Sequence, residues 1–264
     1  MKVDAGNVLY DLGQPPCTGV GLEWSNEELN AALDDRVATV LFDDEGKNNI
    51  GNIFAGLAET GFVQDSLKRL LENPDKVENW RVGEAIALAY LSDHRSCCFP
   101  WPNERSQKKR GSSLPGADLV GFGIDDSGDC FAFGEVKTSS EKKYPPGIMY
   151  GPTGLKRQME DLRDNLATRD DLVKYLGHHA ISTPWLHRFR TATARYLQNS
   201  SDVHIFGFLV RDVEPNQNDL GSRVKALDKG CPDGMCIELF ALYLPQGTID
   251  RIGERMISGR AGAY

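Results

Sequence analysis

Two apolar runs joined by a polar turn constrain this chain more than any other feature. The first is Gly116-Ala117-Asp118-Leu119-Val120-Gly121-Phe122, and the second is Phe131-Ala132-Phe133-Gly134-Glu135-Val136-Lys137. Between them, Asp125-Asp126-Ser127-Gly128-Asp129 has the composition of a tight turn, so the whole reads as a β-hairpin. Residues two apart on a strand point to the same face. Glu135 and Lys137 therefore share a face, and pairing brings Asp118 beside them. Phe131, Phe133 and Val136 mark the second strand as largely buried. A buried carboxylate and a buried amine need partners, which favours a built site over an ion pair on a solvated edge. Two carboxylates and an amine at the end of a half-buried hairpin can hold Mg²⁺ and polarise a water.

Two flanking segments extend the pattern. Upstream, Val82 to Leu91 reads as a helix with Glu84 near its start; the plain alternative for Glu84 is an acid favoured by the helix dipole. Downstream, Leu155-Lys156-Arg157-Gln158-Met159-Glu160-Asp161-Leu162 opens a helix with Gln158 in its first turns. The order of an acid, then Glu-x-Lys seventeen residues on, resembles the PD-(D/E)xK nuclease superfamily. The leading Pro-Asp is only partly kept: Pro115 lies three residues before Asp118, and Ala117 directly precedes it. Glu84 resembles the glutamate that many such nucleases carry on the helix before the hairpin, and Gln158 resembles the glutamine helix of RecB-like members. The likeness spans roughly residues 80–210.

This resemblance implies an α/β (α+β) fold, with a mixed β-sheet flanked by helices, a restriction-endonuclease-like core and an N-terminal extension. It implies that Asp118, Glu135 and Glu84, with the Val136 carbonyl, bind one or two Mg²⁺ (or Mn²⁺) ions. Lys137 would then orient the attacking water and stabilise the pentavalent oxygens, and Gln158 would complete the catalytic set. The substrate would be DNA. Gly-Ala-Asp-Leu-Val-Gly-Phe with Gly-Glu-Val-Lys-Thr-Ser is also similar to the HamA-type proteins of the bacterial Hachiman anti-phage system. That likeness implies a nuclease held by a HamB-like helicase or ATPase partner and released on sensing foreign or damaged DNA. A Mrr-like restriction endonuclease is the rival enzyme reading. A non-catalytic nuclease fold that docks a protein on its acidic surface is the rival from another class.

Composition bounds these readings. The 264 residues, 40% apolar and 26% charged, can bury a full core. No run is long enough to span a bilayer, and the start, Met-Lys-Val-Asp-Ala-Gly, lacks the apolar core of a signal peptide, so a cytoplasmic protein is expected. Net charge is −8, whereas a chain that grips nucleic acid alone usually shows a basic footprint. The basic character here is local. Glu104-Arg105-Ser106-Gln107-Lys108-Lys109-Arg110 carries +3, and Lys142-Lys143 and Lys156-Arg157 add to it. Each could be a solvated loop, but all flank the hairpin, which suits contact with phosphates. Trp101, in the basic loop, is the one tryptophan expected to offer a stacking surface. Six cysteines in a chain this long do not make a disulfide scaffold. Cys231-Pro-Asp-Gly-Met-Cys236 has no histidine near it in sequence, the adjacent Cys97-Cys98 would chelate one ion poorly, and free thiols are expected. His178-His179 reads as a helix end, and His187 and His204 as structural. No Walker A, GxSxG or GxGxxG pattern occurs in a suitable context, which argues against ATP hydrolysis or hydride transfer by this chain.

Along the chain, residues 1–75 are expected to form an N-terminal accessory or interface segment and residues 76–264 the nuclease-like domain. Ser25 caps a helix, Ala38 to Phe42 reads as a short buried strand, and Ile53–Ala58 and Phe62–Leu71 have helical spacing. Helices are expected over roughly 152–167, 168–179 and 183–198, the last capped by Thr183 before Pro184. Val203–Val210 and Ile237–Leu244 read as strands separated by a polar loop of about twenty residues, and a short helix ends the chain.

Overall fold

The computed structural model describes residues 1–55, 61–72, 74–100 and 116–261. The hairpin forms as β3 (Leu119–Asp125) and β4 (Gly128–Ser139), in antiparallel register from Leu119 against Gly134 to Asp125 against Gly128. Its turn is closed locally: the Asp125 carboxylate accepts from the Ser127 N–H at 2.8 Å, and Gly128 takes φ +104°, which a side chain would resist.

From this hairpin one six-stranded sheet is built, in the order β1 (Asn7–Gln14), β2 (Cys17–Glu23), β6 (Cys236–Tyr243), β5 (Val203–Arg211), β4, β3. β5 and β6 run parallel to β4 and to each other. A parallel sheet is covered on both faces, which is why both strands read as unbroken apolar runs. On one face, Ala132 and Val136 of β4 pack with Phe206, Phe208 and Phe240 beneath α5 (Asn79–His94). On the other, Phe131 and Phe133 pack with Ile205 and Leu209 beneath α6 (Leu155–Asp164), α7 (Leu166–Ala180) and α8 (Leu186–Gln198). The α/β fold with a mixed sheet and flanking helices is thus as expected. No helix among the described residues is long and apolar enough to cross a membrane.

The N-terminal segment departs from expectation. β1 (Asn7–Gln14) and β2 (Cys17–Glu23) form a second hairpin, and β2 pairs in parallel with β6. The sheet therefore crosses the expected 75/76 boundary. Ser25 caps α1 (Asn26–Ala32) with a full capping box: its hydroxyl accepts from the Glu28 N–H, and the Glu28 carboxylate accepts from the Ser25 N–H. Ala38 to Phe42 is helix α2, not a strand. Leu29, Leu33, Val37 and Leu41 are all buried and recur every fourth residue. That spacing exceeds the 3.6 residues of an α-turn, and one wide π-turn over Leu33–Val37 keeps them on one line. α3 (Asp44–Ala55) and α4 (Gly61–Leu71) follow.

Two further corrections are local. Thr183 does not cap α8; its hydroxyl donates back to the Ala180 carbonyl at 2.7 Å, closing α7, and α8 starts after Trp185. The loop after β5 contains α9 (Gly221–Asp228), whose Val224, with Leu220 before it, is buried against the β1–β2 hairpin. α10 (Ile249–Ala261) ends the described chain.

Candidate functional site

Asp118 sits immediately before β3, opposite Glu135 by extension of the Leu119–Gly134 register. Its Oδ2 accepts from the Val136 N–H at 2.8 Å, which fixes the carboxylate against β4. Lys137 Nζ lies 3.3 Å from Glu135 Oε2 and 3.7 Å from Asp118 Oδ2. The same-face placement expected for Glu135 and Lys137 is present, and Asp118 joins them. In an extended strand a residue's N–H and C=O point to the same side, so the Val136 carbonyl also faces the Asp118 side of β4.

Burial sets the electrostatics. Glu135 is 1% exposed, against 14% for the Lys137 side chain and 21% for that of Asp118. Loss of solvation, and then the negative charge of Asp118, push the Glu135 carboxyl up to about 9; Lys137 opposes the shift without cancelling it. At neutral pH Glu135 thus holds its proton. Two adjacent carboxylates, one neutral for want of positive charge, are a donor set that a divalent cation would ionise and stabilise.

The Gln158 helix lies on the same face. In register, Gly207 of β5 stands beside Glu135, and a Cβ at 207 would come 3.1 Å from Met159 Sδ. The bare glycine lets α6 approach the sheet at the level of Glu135. Gln158 Oε1 is buried and accepts no hydrogen bond, so an amide oxygen is left over on the helix that packs at this level.

Glu84 comes from the opposite face. α5 lies so close to the end of β4 that a Cβ at Gly83 would sit 2.0 Å from Thr138 Oγ1. Gly83, the residue before Glu84, therefore stands against the residue that follows Lys137, but the Glu84 carboxylate does not form a three-ligand group with Asp118 and Glu135. Among the described residues the one such group is Asp125, Cys130 and His204, at the turn end of the hairpin.

Of the basic segments, Lys142 and Lys143 are exposed just beyond β4. Lys156 and Arg157 are engaged within α6, 3.9 Å from Glu160 and 3.2 Å from Asp161. Residues 104–110 and Trp101 lie outside the described residues. None of the six cysteines forms a disulfide, and His178 and His179 end α7 as expected.

Sequence reasoning missed Arg211. Its guanidinium is fully buried and donates to the carbonyls of Ser139 at 2.9 Å, Glu141 at 2.8 Å and Lys143 at 3.0 Å. It thereby holds the segment that leaves the site and carries Lys142 and Lys143. The only trace in the sequence is an arginine closing an apolar strand. No family model and no curated protein matches this chain.

Proposed function

We propose that this chain is a Mg²⁺- or Mn²⁺-dependent nuclease that hydrolyses DNA phosphodiester bonds. The observation that carries the reading is the grouping of Asp118, Glu135 and Lys137 at the end of the hairpin, with Glu135 buried and its carboxyl pushed up to about 9. Asp118, Glu135 and the Val136 carbonyl would hold the ion, with Glu84 as a further ligand from the other face. When bound, the ion lowers the pKa of a coordinated water and neutralises charge on the scissile phosphate. Lys137 offers an ammonium that both carboxylates hold in place, suited to orienting a water and to facing phosphate oxygens. The spare Gln158 carbonyl can accept from that same water. Lys142 and Lys143 present positive charge to the phosphate backbone.

The net charge of −8 supports a second element of the proposal: a helicase-like or ATPase partner, of HamB type, that delivers DNA and restrains cutting until it is engaged. Residues 1–75 are the proposed interface. Its exposed part includes Ile50, Ile53 and Leu70 on α3 and α4. Purified with its genomic neighbour, the chain is expected to elute as a complex whose plasmid cleavage differs from that of the free chain. A monomer that never associates and cuts equally in both preparations sinks the partner reading.

The metal requirement tests the chemistry. Mg²⁺ or Mn²⁺ should support plasmid nicking and Ca²⁺ should not, because Ca²⁺ takes looser shells of six to eight oxygens. Cleavage that persists in EDTA contradicts the mechanism. The docking-module reading instead expects no cleavage with any ion, and partner binding unchanged by Lys137→Ala.

A further inference from the structure

A second cluster lies at the other end of the same hairpin, on the opposite face of the sheet from Glu135. Asp125 ends β3, Cys130 follows the turn on β4, and His204 lies on β5 beside Ala132. One donor atom from each lies within 4.8 Å of the other two, and His204 Nε2 is 3.9 Å from Asp125 Oδ2. A tetrahedral zinc ion, with bonds of about 2.3 Å to sulfur and about 2.0–2.1 Å to nitrogen or oxygen, holds its donors roughly 3.3–3.7 Å apart. The three side chains are thus a small rotation from a zinc geometry.

The surroundings suit such an ion. Gly123 faces the cluster: a Cβ there would stand 3.2 Å from His204 Nδ1 and 3.3 Å from Cys130 Sγ, so its absence leaves both groups room. Arg195 grips the Asp125 carboxylate through two 2.8 Å bonds and turns its other edge to Asp202, at 2.8 and 2.7 Å. Asp125 Oδ1 accepts from both Arg195 and the Ser127 N–H, whereas Oδ2, the oxygen nearer His204, accepts only from Arg195 and keeps a lone pair whose direction the guanidinium fixes, as outer partners of metal ligands do. The charges also balance. Asp125, Asp202 and a Cys130 thiolate carry three negative charges against one positive charge on Arg195, and a divalent ion cancels the difference. Burial pushes the Cys130 thiol up to about 12, so it stays protonated until a metal displaces the proton. Burial also lowers the His204 pKa, which keeps the imidazole in its neutral, ligating form.

We propose that Asp125, Cys130 and His204 form a Zn²⁺ site with a fourth position open to water, which ties the hairpin turn to β5. Cys130 is buried, whereas Asp125 and His204 are partly exposed, so the open position faces solvent. The site is separate from the Asp118–Glu135–Lys137 group and does not depend on nuclease activity.

The test is metal loading of the full chain. Protein stripped with EDTA under reducing conditions, reloaded with ZnCl₂ and desalted should retain about one zinc per chain by mass spectrometry. Co²⁺ in its place should give the near-ultraviolet band of a thiolate-to-cobalt transition. Cys130→Ser and His204→Gln should each lose the band and cut retained zinc at least about tenfold. Cys231→Ser and Glu135→Gln should keep both. Because Cys130 is fully buried, circular dichroism checks each variant, and His204→Gln, at a less buried position, carries the result if Cys130→Ser does not fold. A wild-type chain that retains no zinc overturns the proposal. So does a folded His204→Gln that keeps both zinc and band.

Discussion

Glu135→Gln is expected to abolish metal-dependent cleavage and, at the same time, to stabilise the metal-free chain at alkaline pH. The activity loss should reach at least about a hundredfold, since the carboxylate would both hold the ion and depend on it for its own charge. The stability gain follows from burial. The carboxyl titrates near 4.5 when unfolded and near 9 in the folded chain. Between those values the folded state binds a proton that the unfolded state releases. The stability associated with Glu135 is therefore complete below about pH 4.5 and is lost as pH rises towards 9, by up to about 1.4 kcal/mol per pH unit. Glutamine, which cannot ionise, removes that loss. Thermal melts in EDTA should show the variant more stable than wild type at pH 8, with the two converging near pH 4. Mg²⁺ should narrow the gap at pH 8 by stabilising the wild type alone. A variant that cuts at the wild-type rate removes the proposed site. A wild-type melting curve that is flat from pH 5 to 9 removes the electrostatic account.

The hairpin and its three polar residues were legible because their signals are short-range. A period of two places Glu135 with Lys137, and a five-residue polar turn brings Asp118 across within eighteen residues. The parallel strands were legible for a related reason: burial on both faces leaves an apolar run that needs no partner to be recognised. The β1–β2 hairpin escaped notice because its side chains are mostly small, polar or exposed, and its pairing with β6 spans over two hundred residues. The run Ala38–Phe42 misled because five apolar or β-branched residues fit a strand as well as a helix. Only the four-residue spacing back to Leu29 separates the two, and it needs the Ser25 cap as a starting point.

The candidate sites show the same division. Gln158 and Glu84 could be placed on the correct helices, but which face of the sheet each helix covers is a property of crossover topology, which no local pattern encodes. The Asp125–Cys130–His204 group was invisible for want of proximity: His204 follows Cys130 by 74 residues, far outside the spacings by which zinc ligands are recognised. Arg211 was invisible because its partners are mainly carbonyl oxygens, which every residue has.

Arg211→Met is expected to cost about 3–5 kcal/mol, the usual consequence of removing one member of a buried ion pair. Arg211 and Asp219 are both fully buried, with Arg211 Nε 3.3 Å from Asp219 Oδ2. The Tyr243 hydroxyl also lies 2.9 Å from that oxygen, while Asp219 Oδ1 has no hydrogen-bond partner. Without the guanidinium, a carboxylate whose pKa burial already raises would have to bury its charge with a tyrosine alone or take up a proton. The carbonyl of Ser139, which ends β4, and those of Glu141 and Lys143 beyond it would lose their donor at the same time. In a chain of this length the loss corresponds to a fall in melting temperature of roughly 10 °C. Arg211→Met with Asp219→Asn should recover part of it, because the stranded charge is gone although the carbonyls remain unserved. At temperatures where Arg211→Met is still folded, cleavage should fall more than a stability loss alone would cause, since the segment carrying Lys142 and Lys143 is no longer held. Urea melts of the three proteins, with Mg²⁺-dependent nicking measured well below the transition, decide the matter. A single variant within about 1 kcal/mol of wild type would show that neither the buried charge pair nor the carbonyl cage carries much of the fold's stability, and would remove Arg211 as the residue that positions the exit from the site.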